Sequence, residues 1–146
     1  HDALALAHDD GNGQRITRAQ TLLAERLESA GRLEDAHAAY HKSYLSHTQR
    51  HASYKDRIYD LHAMAAIRRR QGRHADALAH HLDAWRQTAA EPSAKDDPDF
   101  VSYVAGPALD CWKRVLSADP AALPPPELAE WESARSSQPP VNALVQ

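Results

Sequence analysis

Cysteine, glycine and aromatic side chains are all scarce in this sequence, and each scarcity removes a class of protein. The one cysteine, Cys111, rules out an intramolecular disulfide framework and suits a reducing, cytoplasmic setting. Only Gly11 and Gly13 stand close together, and no lysine–serine pair follows them, so no loop is built to cradle a phosphate. With 6% aromatics and few β-branched residues, nothing reads as a hairpin. No long apolar run interrupts a mean hydropathy of −0.65, which excludes a membrane-spanning helix. A formal net charge of −3 gives no whole-chain argument for nucleic acid. No secretory signal is read at the start of the chain. Because that start is His1 and not methionine, an excerpt or processed product of a longer protein is expected.

What is present is helix-forming. Ala, Leu, Arg and Glu dominate 146 residues, enough for one domain, and an all-α fold is expected. Three stretches repeat one pattern: His1–Ala5, Leu33–His37 and His74–Leu78 each place an acidic residue just before an alanine at the opening of an amphipathic helix. The latter two follow Gly31-Arg32 and Gly72-Arg73. A recurring helical unit cannot bury its apolar face alone, so it stacks on its neighbours and presents an extended surface.

The periodicity predicts a first helix to about Ala7, stopped by the turn signal Asp9–Gly13. Thr17 is expected to cap a second helix to Ala30 whose apolar positions are Leu22, Leu23, Leu27 and Ala30. A third runs from Arg32 past Ser46, a fourth through Ile58 to near Gly72, and a fifth from Ala75 to about Ala89. After a polar linker from Ala90 to Pro98, Pro107 is placed in the first turn of a sixth helix that ends at Asp119-Pro120. Glu127 to Arg135 forms a last short helix, and Ser136 onward reads as a tail.

Leu23, Ala24, Leu27, Gly31, Ala36 and Tyr40, then Leu61, Ala65, Gly72, Ala77 and Ala84, form a pattern that resembles tetratricopeptide repeats. His81 stands where that family usually has a large aromatic. The resemblance implies antiparallel helix–turn–helix repeats, a TPR-like α-solenoid. It comprises a partial repeat at 1–13, repeats at 17–50 and 55–92, and a degenerate C-terminal repeat at 98–120. Residues 108–120 look like the second helix of that last unit. Residues 121–146 are read as a proline-rich break, a capping helix and a tail. Aligned alanines at 3, 36, 77 and 108 are spaced 33, 41 and 31 residues apart, against a family period of about 34.

Ten histidines raise the question of a metal site. His37 and His41 are four apart, as are His47 and His51, and an unbroken helix to residue 51 would gather all four within roughly 120°. No glutamate follows in an H-E-x-x-H arrangement, and the stripe is expected to face outward, so no metal site is assigned. His81 is read as core packing. Cys111, beside Trp112 without a neighbouring histidine, reads as a small half-buried thiol, and no serine sits in a G-x-S-x-G elbow. No catalytic residue and no cofactor are expected.

The one strong charge cluster is Arg68-Arg69-Arg70 with Arg73 and His74. In a repeat of this kind, Tyr59, His62, Ala66 and Arg69 lie toward the concave groove, as do Arg18, Thr21, Glu25 and Glu28 of the preceding unit. Tyr59, His62, Arg69 and Arg70 are therefore the expected partner-binding positions, for a protein or peptide, acidic in character. The plainer alternative is that these arginines solvate a helix end and favour its dipole. The expectation is a non-catalytic recognition module, the regulatory or sensory region of a larger bacterial signalling or transcription-regulatory protein. Self-association into a homo-oligomer and metal or pH sensing through the histidine stripe are the alternatives.

Overall fold

The computed structural model describes the backbone of residues 3–136 and the side chains of residues 13–130 and Ser133. Among the described residues it is all-helical: α1 (Ala3–Ser29), α2 (Leu33–Gln49), α3 (Tyr54–Arg70), α4 (His74–Ala89), α5 (Pro98–Ala118) and α6 (Pro126–Ser136), with a 3-10 turn at Pro92–Asp96. Helices pack in chain order, α1 on α2 through to α5, while α6 rests on α4 and α5. Short connections make neighbouring helices antiparallel.

The two glycine turns repeat atom for atom. Gly31 (φ +79°) donates to the Glu28 carbonyl while Arg32 donates to that of Leu27; Gly72 (φ +75°) and Arg73 do the same to Arg69 and Arg68. This paired bonding needs a left-handed residue after the helix, which glycine adopts without steric cost. The new helix then opens on an ion pair, Arg32–Asp35 at 2.5 Å and Arg73–Asp76 at 2.7 Å. Ala36 and Ala77 are completely buried, as the repeated alanine requires for close helix approach. The α2–α3 turn reuses the motif without glycine. His51 (φ 51°) donates to Thr48 and Ala52 to His47, after which Ser53 caps α3 by accepting from the Lys55 amide.

Three expectations are corrected. Residues Asp9–Gly13 do not stop a helix, because α1 runs 27 residues through them. A mid-helix glycine costs only about 1 kcal/mol, and no stiff residue enforces a break there. Thr17 consequently caps nothing; its hydroxyl donates back to the Gly13 carbonyl at 2.8 Å. The partial repeat at 1–13 is thus continuous with the next helix, and His1 and Asp2 lie outside the described residues, as does the tail beyond Ser136.

Leu22 and Leu23 are the second correction: they are 48% and 53% exposed, whereas Thr17 and Ala24 face inward. The third is α5, which is one 21-residue helix opening at Pro98, with the Asp97 carboxylate accepting from the Phe100 amide. Pro107 sits inside it, preceded by Gly106, whose missing Cβ removes part of the pre-proline clash. Residues 108–118 are therefore the second half of a helix that packs on α4, with α6 following.

Two apolar clusters result. Ile58, Leu61, Met64 and Ile67 of α3 meet Ala36 and Tyr40 of α2, Ala84 of α4, and Phe100 and Val104 of α5. Beyond them Leu78 and Leu82 of α4, Leu109 and Cys111 of α5 and Leu128 of α6 close the far end.

Candidate functional site

Part of the seam between α1, α2 and α3 is polar. Thr17 Oγ1 lies 2.5 Å from Ser46 Oγ, and Thr21 Oγ1 lies 3.1 Å from Ser43 Oγ. Ser43 in turn donates to both oxygens of the Asp60 carboxylate, at 3.1 and 3.2 Å, and His47 Nδ1 stands 2.6 Å from Asp60 Oδ2. Asp60 is only 4% exposed. Burial pushes its carboxyl up from the ordinary range, while the His47 and Ser43 bonds pull it back down. A buried carboxylate is tolerated because these donors replace its water. Ser43 and His47 both serve Asp60, with no hydrogen bond between them, so the trio lacks the nucleophile–base contact of a catalytic triad.

Above this seam opens a cavity of about 740 Å³. Its walls carry Arg15 and Arg18 from α1, Arg50 from the end of α2, and Asp56 and Tyr59 from α3. Arg15 and Arg18 are exposed, and neither guanidinium forms an ion pair or hydrogen bond among the described residues. Arg50 is held differently. Its Nη1 reaches Thr17 Oγ1 at 3.4 Å, and its Nε is buried without a partner. Its stem lies against Gly13, where a Cβ would come within 3.0 Å of Arg50 Cδ. The glycine misread as a turn thus makes room for an arginine at the cavity wall.

The expected partner-binding residues divide. Tyr59, 51% exposed, lines the cavity and stands edge-on to Phe100 and Tyr103. His62 turns away to α4 and α5, its ring 4.9 Å from His81 and 5.0 Å from Tyr103. Burial, then Arg69, holds the His62 imidazole down to about 4, and its Nε2 has no partner. Arg69 is exposed and unpaired among the described residues, while Arg70 reaches Glu28 of α1 at 3.4 Å. From the preceding unit's face, Arg18 and Thr21 do line the cavity, whereas Glu28 accepts from the Tyr40 hydroxyl. Arg15, His47, Arg50 and Asp60 were not expected there; the one sequence signal was a carboxylate set between the apolar Ile58 and Leu61.

The histidine stripe is broken up. Because α2 ends at Gln49 and His51 takes a left-handed backbone, the helix that would align four imidazoles stops short. His47 faces α3. His37 faces α4, its Nε2 3.1 Å from that of His80, with Arg68 behind it. Burial, then the Arg68 charge, holds His37 down to about 4. Arg68 itself bonds Glu34 and Gln71, so of the three consecutive arginines Arg69 alone stays unpaired. Among the described residues no three His, Cys, Asp or Glu side chains gather closely enough to hold a metal ion.

Comparison with known protein families, with curated proteins and with solved structures finds no match to this chain. The described residues define an all-helical protein of six sequentially packed helices with a polar, basic-walled cavity over its first seam.

Proposed function

We propose that this chain is a non-catalytic, tetratricopeptide-like module that recognises a protein or peptide segment of acidic character. The segment lies along the groove that begins at the α1–α3 cavity and passes Tyr59 toward Arg69 and Arg70. The observation that carries this reading is the cavity itself: a broad recess in which Arg15 and Arg18 are left without partners among the described residues, beside an exposed tyrosine. Unpaired guanidiniums next to an aromatic are the residue types in which binding energy concentrates, and their planar forks match carboxylates. The regulatory or sensory region of a larger bacterial signalling protein is the setting we propose for it.

The test is fluorescence polarisation with glutamate-rich and charge-neutral peptides at two salt concentrations. Charge reversal of Arg69→Glu with Arg70→Glu is expected to weaken capture of the acidic peptide by about tenfold or more and to flatten its salt dependence. Helicity is expected to persist, since both side chains are exposed. Equal affinity for both peptides, or an unchanged affinity in the double variant, would reduce the arginines to a solvated helix end.

A specific observation favours self-association as a second reading. Ile16, Leu23 and Leu45 are 56%, 53% and 45% exposed, and Ile16 and Leu45 line a shallower recess between α1 and α2. Stacked repeats normally close such an end with polar residues. Concentration-dependent sedimentation of the intact chain, abolished by Leu45→Lys, would establish it.

A further inference from the structure

We infer that α4 is an acid-released latch: its consecutive His80 and His81 each dock on one imidazole of a neighbouring helix, His37 of α2 and His62 of α3, and joint protonation of the four rings frees α4 from both. This regulation does not depend on what the groove holds, and the surface stripe of histidines contributes only His37 to it.

The geometry follows from the helix. Neighbouring helical residues point about 100° apart, so two adjacent histidines address two different partners. His80 takes the outer pair, its Nε2 3.1 Å from that of His37. Arg68 of α3 fixes the protons there. A guanidinium only donates, so its Nη2, 3.4 Å from His37 Nδ1, makes that nitrogen the acceptor. His37 then carries its proton on Nε2 and donates it to His80 Nε2. A further proton at His80 Nε2 sets two N–H groups face to face and breaks the contact. His81 takes the inner pair, its ring 4.9 Å from that of His62 and edge-on to it. His62 Nε2 and both ring nitrogens of His81 are buried without a partner, so no hydrogen bond compensates a charge placed there.

The surroundings oppose protonation of both pairs. Around the outer pair stand Arg68 from α3, Glu34 and His41 from α2, and Asp76 and Asp83 from α4 itself. Burial first, then Arg68, outweigh those carboxylates, holding His37 down to about 4 and His80 below its ordinary value. The inner pair has Arg69 from α3 and the Tyr103 ring from α5 beside it. Burial pushes the Tyr103 phenol and the Cys111 thiol of α5 up, so neither supplies a negative charge. From α6, Glu127 is engaged by Arg86. Burial first holds His62 down to about 4 and His81 to about 3. All four rings are therefore neutral in the closed fold, while released rings return toward the ordinary 6.5. The closed form keeps its full advantage above that value and loses it as pH falls toward 4. Four rings acting together make the dependence steeper than one histidine gives. The hydroxyl contacts between α1 and α2, Thr17 with Ser46 and Thr21 with Ser43, contain no group that titrates in this range.

Release uncovers Ile58, Leu61 and Met64 of α3, which pack in one cluster with Ala84 of α4. The test is native-state amide hydrogen exchange on the intact chain, normalised to the intrinsic rate at each pH between 7 and 4.5. Amides from Leu78 to Ala84 of α4 are expected to lose protection by about a hundredfold or more, while those from Leu22 to Leu27 of α1 keep theirs. His37→Gln with His80→Gln leaves a polar pair that does not titrate, and is expected to shrink the α4 loss by about tenfold or more. His81→Leu is expected to do the same from the inner pair, and it stays informative if the double variant disturbs the α2–α4 contact. His51→Asn, away from both pairs, is expected to leave the loss unchanged. Protection in α4 that holds from pH 7 to 4.5 would overturn the proposal. So would an equal loss in α1 and α4, which is acid unfolding of the whole chain, or a full loss of α4 protection in both histidine variants.

Discussion

The two helix pairs α1–α2 and α3–α4 share one backbone plan and fill corresponding positions of it with different chemistry. Positions 41 residues apart correspond: Gly31 with Gly72, Ala24 with Ala65, Ala36 with Ala77, all serving the same turns and close contacts. Between those fixed points the seams diverge. Thr17 corresponds to Ile58, Ser43 to Ala84 and Tyr40 to His81, so at these positions the first pair carries hydroxyls, one of them bonded to Asp60 of α3, where the second carries an aliphatic chain, a methyl group and a buried imidazole. The turn glycines and buried alanines determine that helices pair. The residues between them determine whether the seam is a cohesive core or a surface with donors to spare.

The largest effect that sharpens this contrast is on stability. Ile58→Ala empties a fully buried site and is expected to cost about 2–5 kcal/mol. At the corresponding Thr17, alanine removes one hydroxyl shared with Ser46 and Gly13, and about 1 kcal/mol is expected. Urea unfolding of the two variants measures both; equal losses would mean that the seams are not different in kind.

His81 comes next. It is fully buried with both ring nitrogens unpartnered, and burial first, then His62 and Arg69, hold its imidazole down to about 3. A neutral histidine of this sort contributes its stability above the ordinary value of 6.5, and that contribution drains away as pH falls toward 3–4, because the unfolded chain then binds protons the fold refuses. His81→Leu is expected to raise stability by about 1–3 kcal/mol at neutral pH and to shrink the loss on acidification. Chemical unfolding of both proteins across pH 7 to 4 checks the sign; a less stable leucine variant would contradict the unpaired state of the ring nitrogens.

The smallest effect tests the turn plan. His51 holds the left-handed position that glycine holds at 31 and 72, so His51→Gly is expected to stabilise by roughly 0.5–1 kcal/mol. Thermal unfolding reads this, and a lower Tm would mean that the α2–α3 turn is anchored by the histidine side chain.

Much of the architecture was legible because its signals are local. Gly31-Arg32 and Gly72-Arg73 announce the turns, and α3, α4 and α6 fall close to their expected bounds. What misled were residues whose local preference is overruled by packing. Gly11 to Gly13 reads as a turn, yet α1 continues through it, with Arg50 lying where a side chain on Gly13 would be. Pro107 reads as a helix start, yet burial of Val104, Ala105, Ala108 and Leu109 on either side holds α5 through it. The cavity was hardest to foresee. Tyr59, Arg18 and Thr21 lie on a face that repeat spacing identifies, but His47 and Arg50 join them from the end of α2, His47 through Asp60 and Arg50 through Thr17. A His51 in left-handed conformation leaves no mark in the sequence, so neither the end of the stripe nor the arrival of Arg50 could be read there.

The most direct test of the central claim, that the first seam is built for a ligand and the second for cohesion, is amide hydrogen exchange on the intact chain with and without a saturating glutamate-rich peptide. Protection is expected to rise in α1 from Gly13 to Thr21, around His47 to Arg50 at the end of α2, and in the first turns of α3, with α4 to α6 unchanged. Protection that rises only in α4 to α6, or nowhere, would contradict it.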